Sequence, residues 1–440
     1  MKEIKKSHLP DVKTSLPGPK SKMLIEKYIK YFGDIRRPRL AVKKAYGCII
    51  EDVDDNKFLA FSQAADVLGY SNPEIIAASI HQMKKMISRG VASPSLLDFT
   101  EILLKKLPGE LCQGRVNYVA SGTEAVELAA VLAREYSKRP LLLSYHDSHH
   151  GYMGTPFQLS GDPRIKKSWT ARINDIIHIP YPKCYRCEFE KRYPDCDLLC
   201  LRYLESIFET VASPDQIAGL LIEPILVNGG LYVPPDEYMR RLMDICQKNE
   251  IQLIDDEVFT GMGKSGKFLA ANHWSITPDI LCLAKAMGGG FPLAAVVTKR
   301  EVTDNTRGGV KFTGTFQANL VACAASIATM EYIEKHRLAE NAEKVGNFLI
   351  RSLKDMSERK SSIGDVRGRG LLIGVDLVEN KETRDPASDE SSRIVEKACD
   401  NGLLIRSVGR YGNILLLTPP LTLSFEQAEK GVEILDKLIN

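Results

Sequence analysis

Residues 280–290 read Ile280-Leu281-Cys282-Leu283-Ala284-Lys285-Ala286-Met287-Gly288-Gly289-Gly290, and the rest of the chain is organised around them. An apolar run of strand length ends at Lys285, and three glycines follow it. Because a lysine at the mouth of a buried strand is poorly solvated, its amine leans toward the neutral, nucleophilic form. The glycines let the backbone turn sharply and let a flat group sit close. We therefore hypothesise that Lys285 forms a Schiff base with a carbonyl cofactor; the alternative is a strand-end lysine that reaches solvent.

The composition is that of an ordinary globular enzyme. The chain has 440 residues, of which 44% are hydrophobic and 26% charged, a length that fits about two to three domains. The net charge of +3 is small beside 59 basic and 56 acidic residues, so we expect no nucleic-acid partner and no membrane surface. The N-terminus, residues 1–6, is charged and lacks the apolar core of a signal peptide. We predict a cytoplasmic protein.

The order of apolar and amphipathic segments predicts an α/β fold. From about residue 95, uninterrupted apolar strands alternate with helical stretches, which is typical of a doubly wound, mostly parallel sheet. We expect residues 1–75 to form an N-terminal arm and part of a small domain, 76–320 a large domain, and 321–440 a C-terminal small α+β domain. The strands predicted for the large sheet are 116–120, 141–145, 176–179, 219–222, 251–254, 280–284 and 293–297.

Two polar segments follow predicted strands directly. Ser121-Gly122-Thr123-Glu124 opens a helix, where free backbone N–H groups and the helix dipole suit a phosphate, although serine with glutamate three residues later is also a capping box. Asp255-Asp256-Glu257 ends an apolar strand, at the edge where open α/β sheets bind ligands. A buried aspartate there could hold a protonated pyridine nitrogen; surface acids at a strand end are the alternative.

Two further clusters raise the question of metal binding. His146-Asp147-Ser148-His149-His150 lacks the helical spacing of zinc proteases, and a histidine ring there could instead stack on a flat cofactor. Cys184, Cys187, Cys196 and Cys200 have the spacing of a structural zinc site. Two disulfides, or simple burial of Cys200 on a helix, remain alternatives for this four-cysteine segment.

Motifs along nearly the whole chain match one family. They are the phosphate turn Ser121–Ala125, the strand end Asp256–Val258 with the glycine loop 261–266 after it, the lysine segment Pro278–Pro292, Gly314-Thr315-Phe316, and 366–374. With these motifs the chain resembles the class III (ω-amino-acid) aminotransferases, which are fold-type-I enzymes that use pyridoxal 5'-phosphate (PLP).

The resemblance implies a role for each matching residue. Lys285 would hold PLP as a Schiff base and move the Cα proton, and Asp256 would keep the pyridine nitrogen protonated. Val258 would pack under the ring. The residues implied to hold the phosphate are Ser121, Gly122, Thr123 and, across a dimer interface, Thr315. The aromatic–His–Gly motif that stacks on the ring matches His149, His150 and Gly151.

The chain departs from the family where the substrate is held. Phe259 stands in place of a glutamine that contacts the phenolic oxygen of PLP, and Lys264 in place of an arginine. Leu416 occupies the position of the arginine that binds the substrate carboxylate. Glu223 often pairs with that arginine and is a candidate substrate-binding residue. Arg406, or else Arg410, is the candidate replacement for the missing arginine.

Residues 16–20 and the four-cysteine segment resemble an archaeal branch of this family. That branch is similar to 4-aminobutyrate and ornithine aminotransferases and also contains amino-acid racemases. The implied activity is transfer of an amino group from an amine, ω-amino acid or amino acid to a 2-oxo acid, with racemisation or epimerisation of an amino acid as the alternative. The resemblance also implies a homodimer or a higher homo-oligomer.

Overall fold

A computed structural model describes residues 10–34, 38–62, 64–88, 92–167, 175–306 and 314–440. The contacts divide the chain into two units, one of the residues up to Asn72 together with Glu340–Asn440, the other of Pro73–Ala339. The first nine residues of the predicted arm lie outside the described part.

The strands and the α-helices are numbered separately, each set in chain order. The strands are β1 Val42–Tyr46, β2 Ile49–Asp52, β3 Lys57–Ala60, β4 Arg115–Val119, β5 Leu141–Tyr145, β6 Ile176–Ile179, β7 Ile217–Ile222, β8 Gln252–Asp256, β9 Ile280–Leu283, β10 Ala294–Thr298, β11 Ile363–Arg369, β12 Leu372–Leu377, β13 Leu403–Leu404, β14 Arg406–Val408 and β15 Ile414–Leu417. The α-helices are α1 Pro19–Phe32, α2 Pro73–Met83, α3 Pro94–Lys105, α4 Gly122–Ser137, α5 Gly154–Leu159, α6 Pro163–Lys166, α7 Leu199–Thr210, α8 Tyr238–Lys248, α9 Arg300–Asp304, α10 Leu320–Lys335, α11 Leu338–Arg359, α12 Ser388–Asp400 and α13 Phe425–Leu438.

The unit Pro73–Ala339 is built on a seven-stranded sheet in the order β4-β10-β9-β8-β7-β5-β6. Its neighbours from β6 to β9 pair in parallel, whereas β10 is antiparallel to both β9 and β4. The predicted α/β class and mostly parallel sheet are therefore confirmed. A sheet with parallel strands needs crossover helices on its faces, which explains why β7 and β9 carry no polar side chain apart from the thiol of Cys282; β8 begins with Gln252 and ends in Asp255 and Asp256.

Helix α4 packs against this sheet through small side chains. Ala125, Ala129 and Ala133 are fully buried in one core cluster with residues of the sheet strands. The thiol of Cys282 in β9 approaches the carbonyl oxygen of Ala125 at 3.7 Å. Small residues allow the helix axis to lie close to the sheet, which fixes the start of α4 at the sheet edge.

The other unit contains two four-stranded sheets, in the orders β1-β2-β3-β13 and β11-β12-β15-β14. Strands β12, β13 and β15, together with helices α11, α12 and α13, agree with the α+β structure predicted for the C-terminal part of the chain. Strands β1, β11 and β14 were not predicted. The pattern of β11 is interrupted by glycine and arginine, and β14 has only three residues, so neither shows a clear period.

Helix α10 packs on α2 and α3 and therefore belongs to the unit that ends at Ala339. Among the helices of the described residues, none combines the length and the hydrophobicity that a bilayer span requires.

Candidate active site

The predicted site residues follow the carboxyl ends of strands that run in one direction. Because β10 is antiparallel to both neighbours, β4 runs the same way as β5, β7, β8 and β9. Parallel strands end at the same edge of a sheet, and ligands of open α/β sheets bind there. The residues at or just after these five ends are Ser121, His149 and His150, Glu223, Asp256, and Lys285.

Close backbone approaches show that these strand ends meet. A Cβ atom added to Gly122 would lie 2.8 Å from Val258 Cγ1 and 3.5 Å from Ala284 Cβ. The turn before α4 therefore touches the residues that follow β8 and precede Lys285. A Cβ on Gly151 would lie 2.7 Å from Thr123 Oγ1, so the chain after β5 reaches the same turn.

The turn before α4 is a capping box and also leaves an anion site open. Ser121 Oγ accepts a hydrogen bond from the N–H of Glu124, and Glu124 Oε2 accepts from the N–H of Ser121 at 2.9 Å and of Ala120 at 2.7 Å. The first amides of a helix have no partner within the helix, which leaves those of Gly122 and Thr123 for a ligand. Both interpretations of this turn are compatible, and the cap is now seen directly.

Asp256 is buried and paired with a histidine. Its Oδ2 lies 2.6 Å from His150 Nδ1, and its Oδ1 accepts the N–H of Val258 at 3.1 Å. Asp256 is 4% exposed, and the alternative of a surface carboxylate is therefore wrong. Ser144 Oγ lies 3.4 Å from His150 Nε2 and continues the chain of contacts. The resemblance implies that the motif containing His150 stacks on the cofactor ring. In the structure, His150 contacts Asp256, the carboxylate that the resemblance places at the pyridine nitrogen.

The neighbouring Asp255 faces a different environment. Side chains alternate along a strand, so Asp255 points to the sheet face opposite Asp256. Asp255 is fully buried, and neither of its carboxyl oxygens has a hydrogen-bond partner within the described residues. Burial raises its pKa well above the usual range, and Glu257 and Asp256 add to this effect. Burial therefore favours the neutral form of Asp255, next to the Asp256–His150 pair.

His149 and Glu223 lie at the same sheet edge and contact each other. Glu223 Oε1 accepts the N–H of His149 at 2.8 Å, and Oε2 accepts the N–H of Val227 at 3.2 Å. Burial raises the pKa of Glu223 to about 7. Burial, with the positive charges of Lys285 and His150, lowers the pKa of His149 to about 4. His149 is therefore a neutral ring near Lys285, 4.7 Å from the ring of Tyr152.

Lys285 has a strained backbone. It opens the 3-10 turn Lys285–Gly288 with φ of 46°, in the left-handed region that residues with a side chain rarely adopt. Such strain costs about 1–3 kcal/mol and concentrates at functional sites. Its Nζ lies 4.4 Å from the centre of the Phe259 ring. The sequence marked Phe259 as a departure but could not show that it contacts the lysine.

Thr315, Arg406 and the glycine loop lie on other segments of the chain. Thr315 is exposed in the turn before α10, and nothing in the described part of the chain joins it to the cluster. Arg406 belongs to the other unit. It lies in β14 directly opposite Leu416 in β15, a pairing that the sequence did not reveal. Lys264 and Ser265 of the glycine loop are buried.

The histidine-rich segment does not converge on a metal. His146 Nδ1 contacts Glu188 at 2.8 Å, Asp147 pairs with Lys183, and His150 pairs with Asp256. Each of these three side chains therefore has its own partner. Within the described ranges, no three His, Cys, Asp or Glu side chains are placed to hold an ion.

Comparison with known proteins agrees with this geometry. The family model described as aminotransferase class-III matches residues 33–439. The chain belongs to the class III aminotransferase family. Within this family it is 35% identical to a leucine/methionine racemase of Thermococcus litoralis, over 94% of this chain and 95% of the racemase. It is 34% identical to an alanine/serine racemase of Pyrococcus horikoshii, over 98% and 92% of the two chains.

Aminotransferases of the family are also similar to this chain. The 4-aminobutyrate aminotransferase GabT of Escherichia coli is 31% identical, over 90% of this chain and 92% of that enzyme. Among solved structures, a PLP-bound amine transaminase from an uncultivated Pseudomonas species is 31% identical with a TM-score of 0.86, over 92% of this chain and 95% of that chain. The predicted class III family and fold-type-I architecture are confirmed.

Proposed function

We propose that this class III family member binds PLP at the edge of its seven-stranded sheet and transfers an amino group from an amine, an ω-amino acid or an amino acid to a 2-oxo acid. The observation that best supports this proposal is that three features lie at one sheet edge. They are the strained backbone of Lys285, the buried Asp256–His150 pair and the start of α4 with its open amides.

The residues fit this cofactor in chemical type and in space. An aldehyde requires a primary amine, which Lys285 offers, and a pyridinium nitrogen requires a buried carboxylate, which Asp256 offers. A phosphate fits the amides of Gly122 and Thr123. Because Gly122 approaches Val258 so closely, a larger residue there would push the turn away from the ring site. Once bound, PLP supplies an electron sink that makes the Cα–H bond of an amino substrate acidic.

The chain's own residues then have distinct tasks. Lys285 would hold the PLP aldehyde through its amine and, once free of it, would take and return the Cα proton of the substrate. Asp256 holds a proton on the pyridine nitrogen, and His150 keeps the Asp256 carboxylate in position. His149, neutral and near Lys285, offers a flat uncharged face to the ring.

A spectrum recorded with donor alone tests this function. The PLP-loaded protein is mixed with single amines and amino acids, without any 2-oxo acid, and its visible absorption is followed. A transaminase loses the visible band with each productive donor and regains it when a 2-oxo acid is added, because the amino group stays on the cofactor between half-reactions. A band unchanged across a broad panel of donors would contradict the proposal.

Racemisation is the second candidate, and its specific support is the 35% and 34% identity to two racemases. Both reactions need the Lys285 amine to remove the Cα proton, and they differ in where the proton returns. Incubation of one enantiomer in D2O separates them. A racemase incorporates deuterium at Cα of both enantiomers without forming a 2-oxo acid, whereas a transaminase forms the 2-oxo acid in proportion to the lost band.

We further propose that Arg406 binds the substrate carboxylate. Directly opposite residues of an antiparallel pair share a face, with Cβ atoms about 4.5–5.5 Å apart. Arg406 and Leu416 are such a pair, so an arginine on β14 presents its charge on the same face as the family's usual position on β15. Glu223 is proposed as the second substrate contact, because its buried carboxyl group lies beside His149.

A homodimer completes the proposed phosphate site. Phe316, next to Thr315, is 71% exposed, and Tyr152 and Met153 beside the histidine turn are 52% and 66% exposed. Large exposed apolar groups of this kind are typical of interfaces. We propose that these surfaces meet a second copy, which contributes the partner's Thr315 to the phosphate. Sedimentation at decreasing concentration, with activity measured in parallel, checks this; a fully active monomer would contradict it.

The boundaries 1–75, 76–320 and 321–440 and the cytoplasmic location stay predictions.

A further inference from the structure

The four-cysteine segment is a long stretch with little to hold it in place. Residues 184–198 contain one short 3-10 turn, Cys184–Arg186, and no α-helix or strand. Most of these residues are exposed or half-buried, with Leu198 the buried exception. Stretches of about 12–15 residues without secondary structure are uncommon in compact domains and usually have a function. Because this segment buries so little apolar surface, packing contributes little to holding it in one conformation. A covalent or metal cross-link can hold it instead.

All four cysteines of the segment line one cavity. Its walls also include Tyr181, Pro182, Lys183 and Tyr193, and the lining cysteines are Cys184, Cys187, Cys196 and Cys200. All four are free thiols. The cavity therefore brings the cysteine pair at the start of the segment and the pair at its end to one place.

The spacing and the surrounding charge suit a thiophilic divalent cation. The pairs Cys184-x2-Cys187 and Cys196-x3-Cys200 both fall in the two-to-four-residue gap of structural zinc sites. Four thiolates around Zn²⁺ leave a net charge of −2, which Lys191 on the cavity wall partly offsets; Lys183, also on the wall, is already paired with Asp147 and Glu188. As placed, no three such side chains in the described residues surround a common point, so binding has to draw the thiols inward.

We propose that these four cysteines bind one zinc ion that cross-links the segment. Four thiols and one Zn²⁺ give one tetrathiolate complex, and each thiol releases one proton to solvent. The bond formation involves no oxidation or reduction. This site would be separate from the PLP site and does not depend on the proposed reaction.

The proposed ion sits beside residues that reach the histidine turn. Lys183, directly before Cys184, pairs with Asp147, and its Nζ lies 2.7 Å from Glu188 Oε1. Glu188, directly after Cys187, contacts His146. These contacts flank the first cysteine pair on both sides. A metal that fixes the pair would therefore also fix the start of the turn that carries His149 and His150.

Metal content of the full-length protein tests the proposal. We expect about one zinc per chain after purification without chelators, and a stoichiometric titration when Zn²⁺ is added back to chelator-treated protein. Cobalt replacing zinc would give the intense absorption of thiolate coordination. C184S and C200S should lose most of the zinc, while C112S, an exposed cysteine outside the segment, should keep it.

A measurement on the wild type covers variants that fail to fold. Zinc should protect four thiols from a cysteine-reactive reagent, and chelation should expose them. Intact mass that is lower by two hydrogens per cysteine pair would show disulfides and overturn the proposal. It would also be overturned by iron with sulfide in place of zinc, or by four thiols that react equally with and without Zn²⁺.

Discussion

The carboxyl edge of the seven-stranded sheet and the β14–β15 pair differ in how far they follow the family. At the sheet edge, Ser121, Asp256 and Lys285 match the family motifs, and the structure brings their segments together. On β15, Leu416 replaces the expected arginine, and the charge stands across the pair at Arg406. In the first region, the match to the family depends on where the strands end. In the second region, it depends on the identity of one side chain.

This difference fits the functions proposed for the two regions. A cofactor of fixed shape needs an amine, a carboxylate and helix amides in fixed positions, and strand ends and a helix start provide those. A substrate varies from one family member to the next, and a side chain on a strand pair can change sides without changing the fold. The following predictions test the two regions in order of expected effect.

The largest effect should come from Lys285→Ala. Activity should fall by at least about 10⁴-fold, because the amine both binds the cofactor and moves the Cα proton. The measurement is kcat, with the visible spectrum of the PLP-loaded protein. Lys138→Ala, at a surface lysine whose amine lies 2.9 Å from Glu135, should behave as wild type. A visible band retained in K285A would assign the aldehyde to another amine.

The next effect should distinguish two adjacent aspartates. Asp256→Asn should lower kcat by about 10²–10³-fold, since a preorganised charge is lost at the reacting ring. Asp255→Asn should leave kcat close to wild type, because burial already favours the neutral form of Asp255 on the opposite face. Both variants are isosteric, and circular dichroism checks their folding. Equal losses in the two variants would show that the role of Asp256 is structural.

Arg406→Ala should raise the KM for carboxylate-bearing substrates by about 10–100-fold, the loss of a charge-assisted hydrogen bond of about 1.5–3 kcal/mol. The KM for an amine without a carboxylate should change little. Arg410→Ala, on the turn after β14, is the matched control. If R410A shows the KM effect and R406A does not, the carboxylate contact belongs to Arg410.

The smallest predicted effect is on stability, through the buried imidazole of His178. His178 on β6 is paired in register with Ser144, and burial, then Lys166, lowers its pKa to about 4. Between about pH 6.5 and 4 the unfolded chain binds a proton that the folded chain does not, so the free energy of unfolding falls as the pH falls. His178→Asn should reduce the loss between pH 7 and pH 5 by about 2 kcal/mol. Urea unfolding at the two pH values measures this, and an unchanged slope would contradict it.

Much of the large unit could be predicted from the sequence because its strands are buried on both faces. Continuous apolar runs such as 219–222 and 280–284 mark them, and polar residues at their ends mark the edge. The structure places the strands as β7 and β9, within two residues of the prediction at either end. The site then follows from one rule, that parallel strands end together.

What the sequence did not show depends on pairing and side-chain direction. The contact of His150 with Asp256 joins residues 106 positions apart, and no local period encodes it. The register that sets Arg406 against Leu416 likewise appears only when the strands pair. The side on which α10 packs is also set by its contacts with α2 and α3, which its own sequence does not show.

The capping box at Ser121 has a consequence for how the cofactor arrives. Glu124 and Ser121 already hold the turn through hydrogen bonds within the chain. The conformational entropy of this turn is therefore lost during folding and not during ligand capture. A protein made without its cofactor should keep a receptive turn, so that pyridoxal phosphate can be loaded, removed and loaded again without the helix start having to refold.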